Sequence, residues 1–177
     1  MIQTDRLTLR NWQAGDRLPF NAMGRDPEVM KFLGPLQSQA DTDAAIARLQ
    51  GVAAEHGHTF WAIERRADCE FLGLCGLKIA PENIPGIKGA IEIGWRLRRD
   101  AWGLGYAREA AAASLAWGWA NLAVDRIIAI TTPGNIRSQA LMLRLDMVRR
   151  HDLDFGHPAL APDDPLRAHV TFEIGRR

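Results

Sequence analysis

Apolar positions in this chain recur with two different periods, and the switches between them mark out its elements. Between residues 2 and 10, Leu7 and Leu9 alternate with Arg6, Thr8 and Arg10, which predicts a strand with one wet face. Short helical patterns follow over 16–24 and 27–33, the second broken by Gly34 and Pro35. Asp41 is placed to cap a longer helix whose apolar stripe is Ala45, Leu49 and Val52, and Gly57 ends it. Three strands are expected over 59–65, 71–79 and 90–97. The middle one is almost continuously apolar, which predicts burial on both faces. A loop with Pro81, Pro85 and Gly86 separates the last two. After a glycine-punctuated turn come an alanine-rich helix over 106–122, a strand over 125–132, a helix over 135–145, and final strands over 147–155 and 168–174.

That order implies a mixed α/β fold (α+β type) with helices packed on a sheet. With 177 residues and no repeat, low-complexity run or linker, a single domain over 1–177 is expected. A net charge of +1 lacks the basic excess of a general nucleic-acid binder. No window approaches the ~20 apolar residues of a membrane helix. Met1 leads straight into Gln3, Asp5 and Arg6 rather than into a secretory leader. A cytoplasmic protein with no nucleic-acid or membrane partner is therefore expected. Cys69 and Cys75 sit in an apolar stretch and read as reduced core residues. The five histidines show no ligand spacing, so no metal is expected. Trp117 and Trp119, two apart on a helix, cannot share a face. An exposed member of that pair would suit a homodimer contact.

The stretch that carries chemistry is Glu92-Ile93-Gly94-Trp95-Arg96-Leu97 followed by Trp102-Gly103-Leu104-Gly105-Tyr106-Ala107. A strand, a glycine turn and a helix start follow one another. The first N–H groups of a helix lack partners, and its dipole favours negative charge there. Gly103 and Gly105 remove side chains that would block an anion, so the turn reads as a pyrophosphate cradle of main-chain amides. A dinucleotide fingerprint fits poorly, because its third glycine falls at Arg108, and no Gly-Lys-Ser/Thr loop occurs.

These residues resemble the acyl-CoA-binding motif of the GNAT acetyltransferases, especially the branch containing the ribosomal-protein N-acetyltransferases RimJ and RimL. Trp102-Gly103-Leu104-Gly105-Tyr106-Ala107-Arg108-Glu109-Ala110 carries the likeness. The opening Thr4-Asp5-Arg6-Leu7-Thr8-Leu9-Arg10 and the later Thr132-Pro133-Gly134-Asn135-Ile136-Arg137-Ser138 extend it nearly end to end. The resemblance implies a mostly antiparallel central sheet of about seven strands with helices on both faces. It also implies acetyl-CoA as acyl donor and a primary amine as acceptor, either a protein N-terminus or a small molecule. A non-catalytic acyl-CoA-binding regulatory domain is the alternative. Three departures stand out. Asp100 replaces a common Gln or Arg, Asp146 replaces the helix-ending glycine, and the only tyrosine is Tyr106, so the helix tyrosine that serves as proposed acid in many relatives is missing.

The resemblance places the pantetheine contact at Trp95, Arg96 and Leu97. It places the pyrophosphate on Trp102, Gly103, Leu104, Gly105, Tyr106 and Ala107, with Asn135 near the cofactor, where it also reads as a helix cap. Arg98, Arg99 or Arg108 can add charge. Glu92 is the general-base candidate. Ile91, Ile93, Trp95 and Leu97 share one strand face, while Glu92 lies on the other with small Ala90 and Gly94 beside it. An ammonium of pKa ~10.4 or ~8 must lose its proton before it attacks a thioester. A carboxylate raised by burial accepts it, directly or through water. Ser138 is a weaker candidate, as proton donor to the leaving thiolate. His169, starting the last strand, is either a neighbour of the acceptor site or an ordinary satisfied histidine.

Overall fold

The computed structural model describes residues 1–84 and 86–176. Pro85 of the expected loop and Arg177 lie outside the described residues. Nine strands form: β1 (Ile2–Gln3), β2 (Leu7–Arg10), β3 (Phe60–Arg65), β4 (Phe71–Ile79), β5 (Ile91–Leu97), β6 (Arg126–Thr131), β7 (Val148–Arg149), β8 (Phe155–Gly156) and β9 (Ala168–Gly175). The helices are α1 (Arg17–Gly24), α2 (Pro27–Met30), α3 (Gln39–His56), α4 (Tyr106–Asn121) and α5 (Ile136–Arg144). The sheet runs β1-β2-β3-β4-β5-β6-β9-β7, with β8 on β9. Every pairing is antiparallel except β5 with β6. Parallel neighbours need a crossover connection, and α4 supplies it.

Helices cover both faces. On one, Ala110, Ala111 and Leu115 of α4 pack on Leu9, Ile63, Leu77, Ile93 and Ile127. On the other, Phe20, Met23, Val29, Ala45 and Leu49 from α1 to α3 pack on Ala62, Phe71 and Leu74. β4 lies between them and is buried from Phe71 to Leu77, as its unbroken apolar run predicted. Arg10 fastens the second layer. It holds Asp16 bidentately at 2.8 Å and Glu64 at 2.7 Å.

The sheet has nine strands rather than about seven because two expected strands are each divided. Residues 2–10 fold back on themselves, Ile2 facing Leu9. Glu109 of α4 holds the bend, accepting from the Thr4 hydroxyl at 2.6 Å and the Arg6 N–H at 2.9 Å. Residues 147–155 break at a 3-10 turn over His151–Leu153, where Thr171 donates its hydroxyl to the Leu153 carbonyl and its N–H to Asp154. These ties come from remote segments, so local periodicity does not register them.

Three smaller expectations are corrected. Ser38, not Asp41, caps α3. Asp41 is the reciprocal partner three residues on, in a capping box. Cys69 is exposed in the β3–β4 turn at φ 60°, and only Cys75 is a core residue. Trp117 and Trp119 are both partly buried, Trp117 edge-on to Trp61 at 5.1 Å and Trp119 beneath Arg176 at 5.7 Å. Asp146 takes the helix-ending role of the missing glycine at φ 62°. The Met147 and Asp146 N–H groups bond Met142 and Leu143 carbonyls at 3.1 and 3.0 Å, which closes α5.

Candidate active site

β5 and β6 pair only at Ile91↔Ile127 and Glu92↔Ile128, then separate. On its other edge β5 pairs with β4 along its whole length. The Arg98 N–H bonds the Leu72 carbonyl and the Ala80 N–H the Ala90 carbonyl, so even-numbered residues of β5 bond to β4. Past the last β5–β6 pair, alternation turns the C=O of Ile93 and the N–H and C=O of Trp95 into the gap beside β6. An extended ligand with its own amides can pair there. Arg96, by contrast, spends its backbone on β4, opposite Leu74, and sends its side chain elsewhere. The Leu97 carbonyl is taken by the Trp102 indole N–H at 2.9 Å, which fixes the start of the turn.

The turn follows the gap. Gly103 and Gly105 sit at φ 75° and 81°, and Gly105 is the residue before α4. The first helical bond runs from the Glu109 N–H to the Gly105 carbonyl at 3.1 Å. The amides of Tyr106, Ala107 and Arg108 therefore precede the helical ladder, at the positive end of the helix dipole. Gly103, Leu104 and Gly105 are exposed. Two arginines that sequence reasoning did not weigh flank the cradle. Arg6 donates to the Leu104 carbonyl at 3.0 Å and lies 4.6 Å from the Tyr106 ring. Arg137 of α5 stacks 5.0 Å over Trp102. Arg98 is instead tied to Asp100 and Glu70, while Arg99 and Arg108 are exposed.

Below the gap lies a cleft of about 290 Å3. Glu92, Trp95, Arg96, Asn135 and Ser138 all line it, and Leu97 and the turn lie outside it. Asn135 begins α5, accepting from the Ser138 N–H at 3.3 Å and donating to the Thr131 hydroxyl at 3.0 Å. One turn after Ser138, Met142 reaches the same cleft. His169 is absent from the lining. It stacks on Phe155 at 5.2 Å, within 13° of parallel, with Nδ1 3.1 Å from the Arg167 carbonyl.

Glu92 is 6% exposed. Burial raises its pKa above the usual carboxylate value, and the positive charge of Lys78 opposes the rise. Lys78 stands directly across the sheet, Nζ 3.3 Å from Oε2, near enough for an ion pair but not aligned as a hydrogen bond. Lys78 was not singled out from sequence, because only the register of β4 on β5 brings it here. Phe60 is likewise a product of register. Its ring lies over Gly94, where a Cβ would approach the ring carbon Cζ to 2.7 Å.

A splayed strand pair, a helix start with amides outside the helical ladder and a buried carboxylate in the adjoining cleft lie side by side. The family is settled by comparison. Residues 6–148 match the model of the acetyltransferase (GNAT) domain, and the chain belongs to that family as an N-acetyltransferase. It is 32% identical to YkkB of Bacillus subtilis (strain 168), over 82% of this chain and 84% of that one. It is 30% identical to the N-acetyltransferase p20 of Bacillus licheniformis, over 80% and 78%. Among solved structures, the Vibrio cholerae spermidine N-acetyltransferase in complex with CoA and spermine superposes with a TM-score of 0.74 at 16% identity, covering 97% of this chain and 96% of that one.

Proposed function

We propose that this chain, acting as one domain over residues 1–177, transfers acetyl from acetyl-CoA to a primary amine by direct attack. The amine belongs to a protein N-terminus, as in the RimJ/RimL branch its motifs resemble, or to a small molecule. A cytoplasmic setting agrees with the unpaired thiols of Cys69 and Cys75. The observation that carries the reading is the continuity of the cleft. The same cavity is lined by the buried carboxylate of Glu92, by Trp95 at the strand gap, and by Asn135 and Ser138 of α5.

Acetyl-CoA supplies an acyl carbon already activated as a thioester. The protein's part is to hold it and to manage protons. The Ile93 carbonyl and the Trp95 backbone, turned into the gap, fit the amides of pantetheine, and the start of α4 fits the pyrophosphate. Asn135 holds the first turn of α5 so that Ser138 faces the cleft. Glu92 accepts the proton of the attacking amine as the C–N bond forms. Its raised pKa makes it a better base than an ordinary surface carboxylate, and the charge of Lys78 opposes that rise. Ser138 donates a proton as the C–S bond breaks, a modest demand because a thiol of pKa ~8.5 leaves readily.

The test is ligand-dependent stability. Acetyl-CoA at 100 times its Kd should stabilise the fold by about 2.7 kcal/mol, read as a rise in Tm, while NAD and ATP give much less. Equal stabilisation by NAD would overturn the assignment.

A further inference from the structure

Among the described residues Arg96 has no acidic partner. Its Nη1 lies 3.2 Å from the Met30 sulfur and 3.4 Å from Gln37 Oε1, both weak acceptors at such geometry, and its guanidinium sits 4.8 Å from the Phe20 ring centre. Among the described residues no carboxylate bonds or pairs with it. Arg10, which is also partly buried, is gripped by two carboxylates. Desolvation, with a second push from the charge of Arg48, pulls the Arg96 pKa down to about 10. Arg48 lines the same cleft from α3 and is also without an acidic partner among the described residues. Of the described residues lining the cleft, Glu92 alone is acidic.

A guanidinium stripped of water without a charged partner is costly unless a ligand completes it. Its planar fork matches a carboxylate or similar anion. Coenzyme A's phosphates are not that ligand in this reading, since their cradle is at α4, whereas Arg96 projects beneath α1 and α2 toward Phe20 and Met30. Glu92 and Arg96 are four residues apart on one face of β5, about 13 Å between Cα atoms at strand rise. The Phe60 ring covers Gly94 between them.

We infer that the amine acceptor carries an anionic group several bonds from its reactive nitrogen, held by Arg96 and Arg48 while the amine meets Glu92 and an apolar spacer crosses Phe60. The inference rests on the acetyl-transfer reading and narrows its acceptor class. Two sources offer the chemistry: a small ω-amino acid, or an acidic residue close behind a protein N-terminus. Diamines are disfavoured, because their second cation meets two arginines.

The experiment measures thiol release from acetyl-CoA with acceptors matched in length: an alkylamine, a diamine and an ω-amino acid, and peptides carrying Glu or Lys behind a free N-terminus. Anionic acceptors should exceed neutral ones in kcat/KM by about tenfold, the value of one charge-assisted hydrogen bond, with diamines lowest. The ω-amino acid and the Glu peptide tell the two sources apart. Arg96→Gln should erase the preference, chiefly by raising KM for the anionic acceptor, and Arg96→Lys should restore part of it. Arg48→Ala, at an exposed helix position, gives a smaller loss of preference and covers the case in which Arg96 variants fold poorly. If neutral amines or diamines are turned over as well as anionic ones, or if no anionic acceptor is turned over although acetyl-CoA stabilises the protein, the inference fails. If acetyl-CoA does not stabilise the parent protein at all, the acetyl-transfer reading fails first.

Discussion

The two halves of the site are built from different materials. The carrier half, at the gap between β5 and β6 and the start of α4, is made of main-chain groups and is open to solvent. The acceptor half, under α1 to α3, is made of side chains (Glu92, Lys78, Arg96 and Phe60) drawn from three strands and buried or partly buried. Backbone amides carry fixed dipoles whatever the neighbouring residues are, so the first half needs only a strand, a turn that permits left-handed geometry, and a helix. Ionisable side chains owe their properties to burial and to charged neighbours, so the second half depends on what the fold assembles around them.

Substitution in each half should separate the two. The largest effect is expected at Glu92. Glu92→Gln should slow transfer by about 10²–10⁴-fold with acetyl-CoA binding unchanged, and the deficit should shrink as pH rises and the amine arrives already deprotonated. In the parent, activity should fall as pH drops through the raised pKa of Glu92. The stability sign is the reverse. A carboxyl raised by burial favours the fold fully below its unfolded pKa, and that contribution is lost as pH rises through the folded value. Glu92→Gln should therefore be no less stable than the parent at neutral pH, a point that thermal melts decide. A marked loss of stability with a rate defect independent of pH would make Glu92 a structural ion-pair partner instead.

Gly105→Val probes the carrier half. A β-branched residue at φ 81° is strained, and its Cβ would come within 3.3 Å of Arg6 Nη2. Acetyl-CoA should bind about tenfold more weakly or worse, equivalent to ~1.4 kcal/mol. The acceptor preference that Arg96 confers should survive, which calorimetry and the acceptor panel together would register. Unchanged acetyl-CoA affinity in a folded variant would move the phosphate site elsewhere.

The smallest effect on function belongs to neither half. Asp146→Val, at φ 62° after α5, should cost roughly 1–2 kcal/mol, seen as a Tm lower by a few degrees. Acetyl-CoA affinity should not change. A change in affinity would mean that the end of α5 also positions Asn135 and Ser138.

The helix and strand periods, the glycine turn before an alanine-rich helix, and the placement of Glu92 on the strand face opposite Ile91 and Ile93 are all legible along the chain. Each of these depends on neighbours a few residues apart along the chain. The tertiary structure decided the rest. It bent residues 2–10 around Glu109, set Lys78 across from Glu92, laid Phe60 over Gly94, stacked Arg137 on Trp102, and left Arg96 without an acid beneath α1 and α2. These contacts join residues 14 to more than 100 positions apart. Periodicity gives the face a side chain occupies, but the register of one strand on the next and the docking of remote helices determine which charge or ring it meets there, and with that the chemistry it can perform.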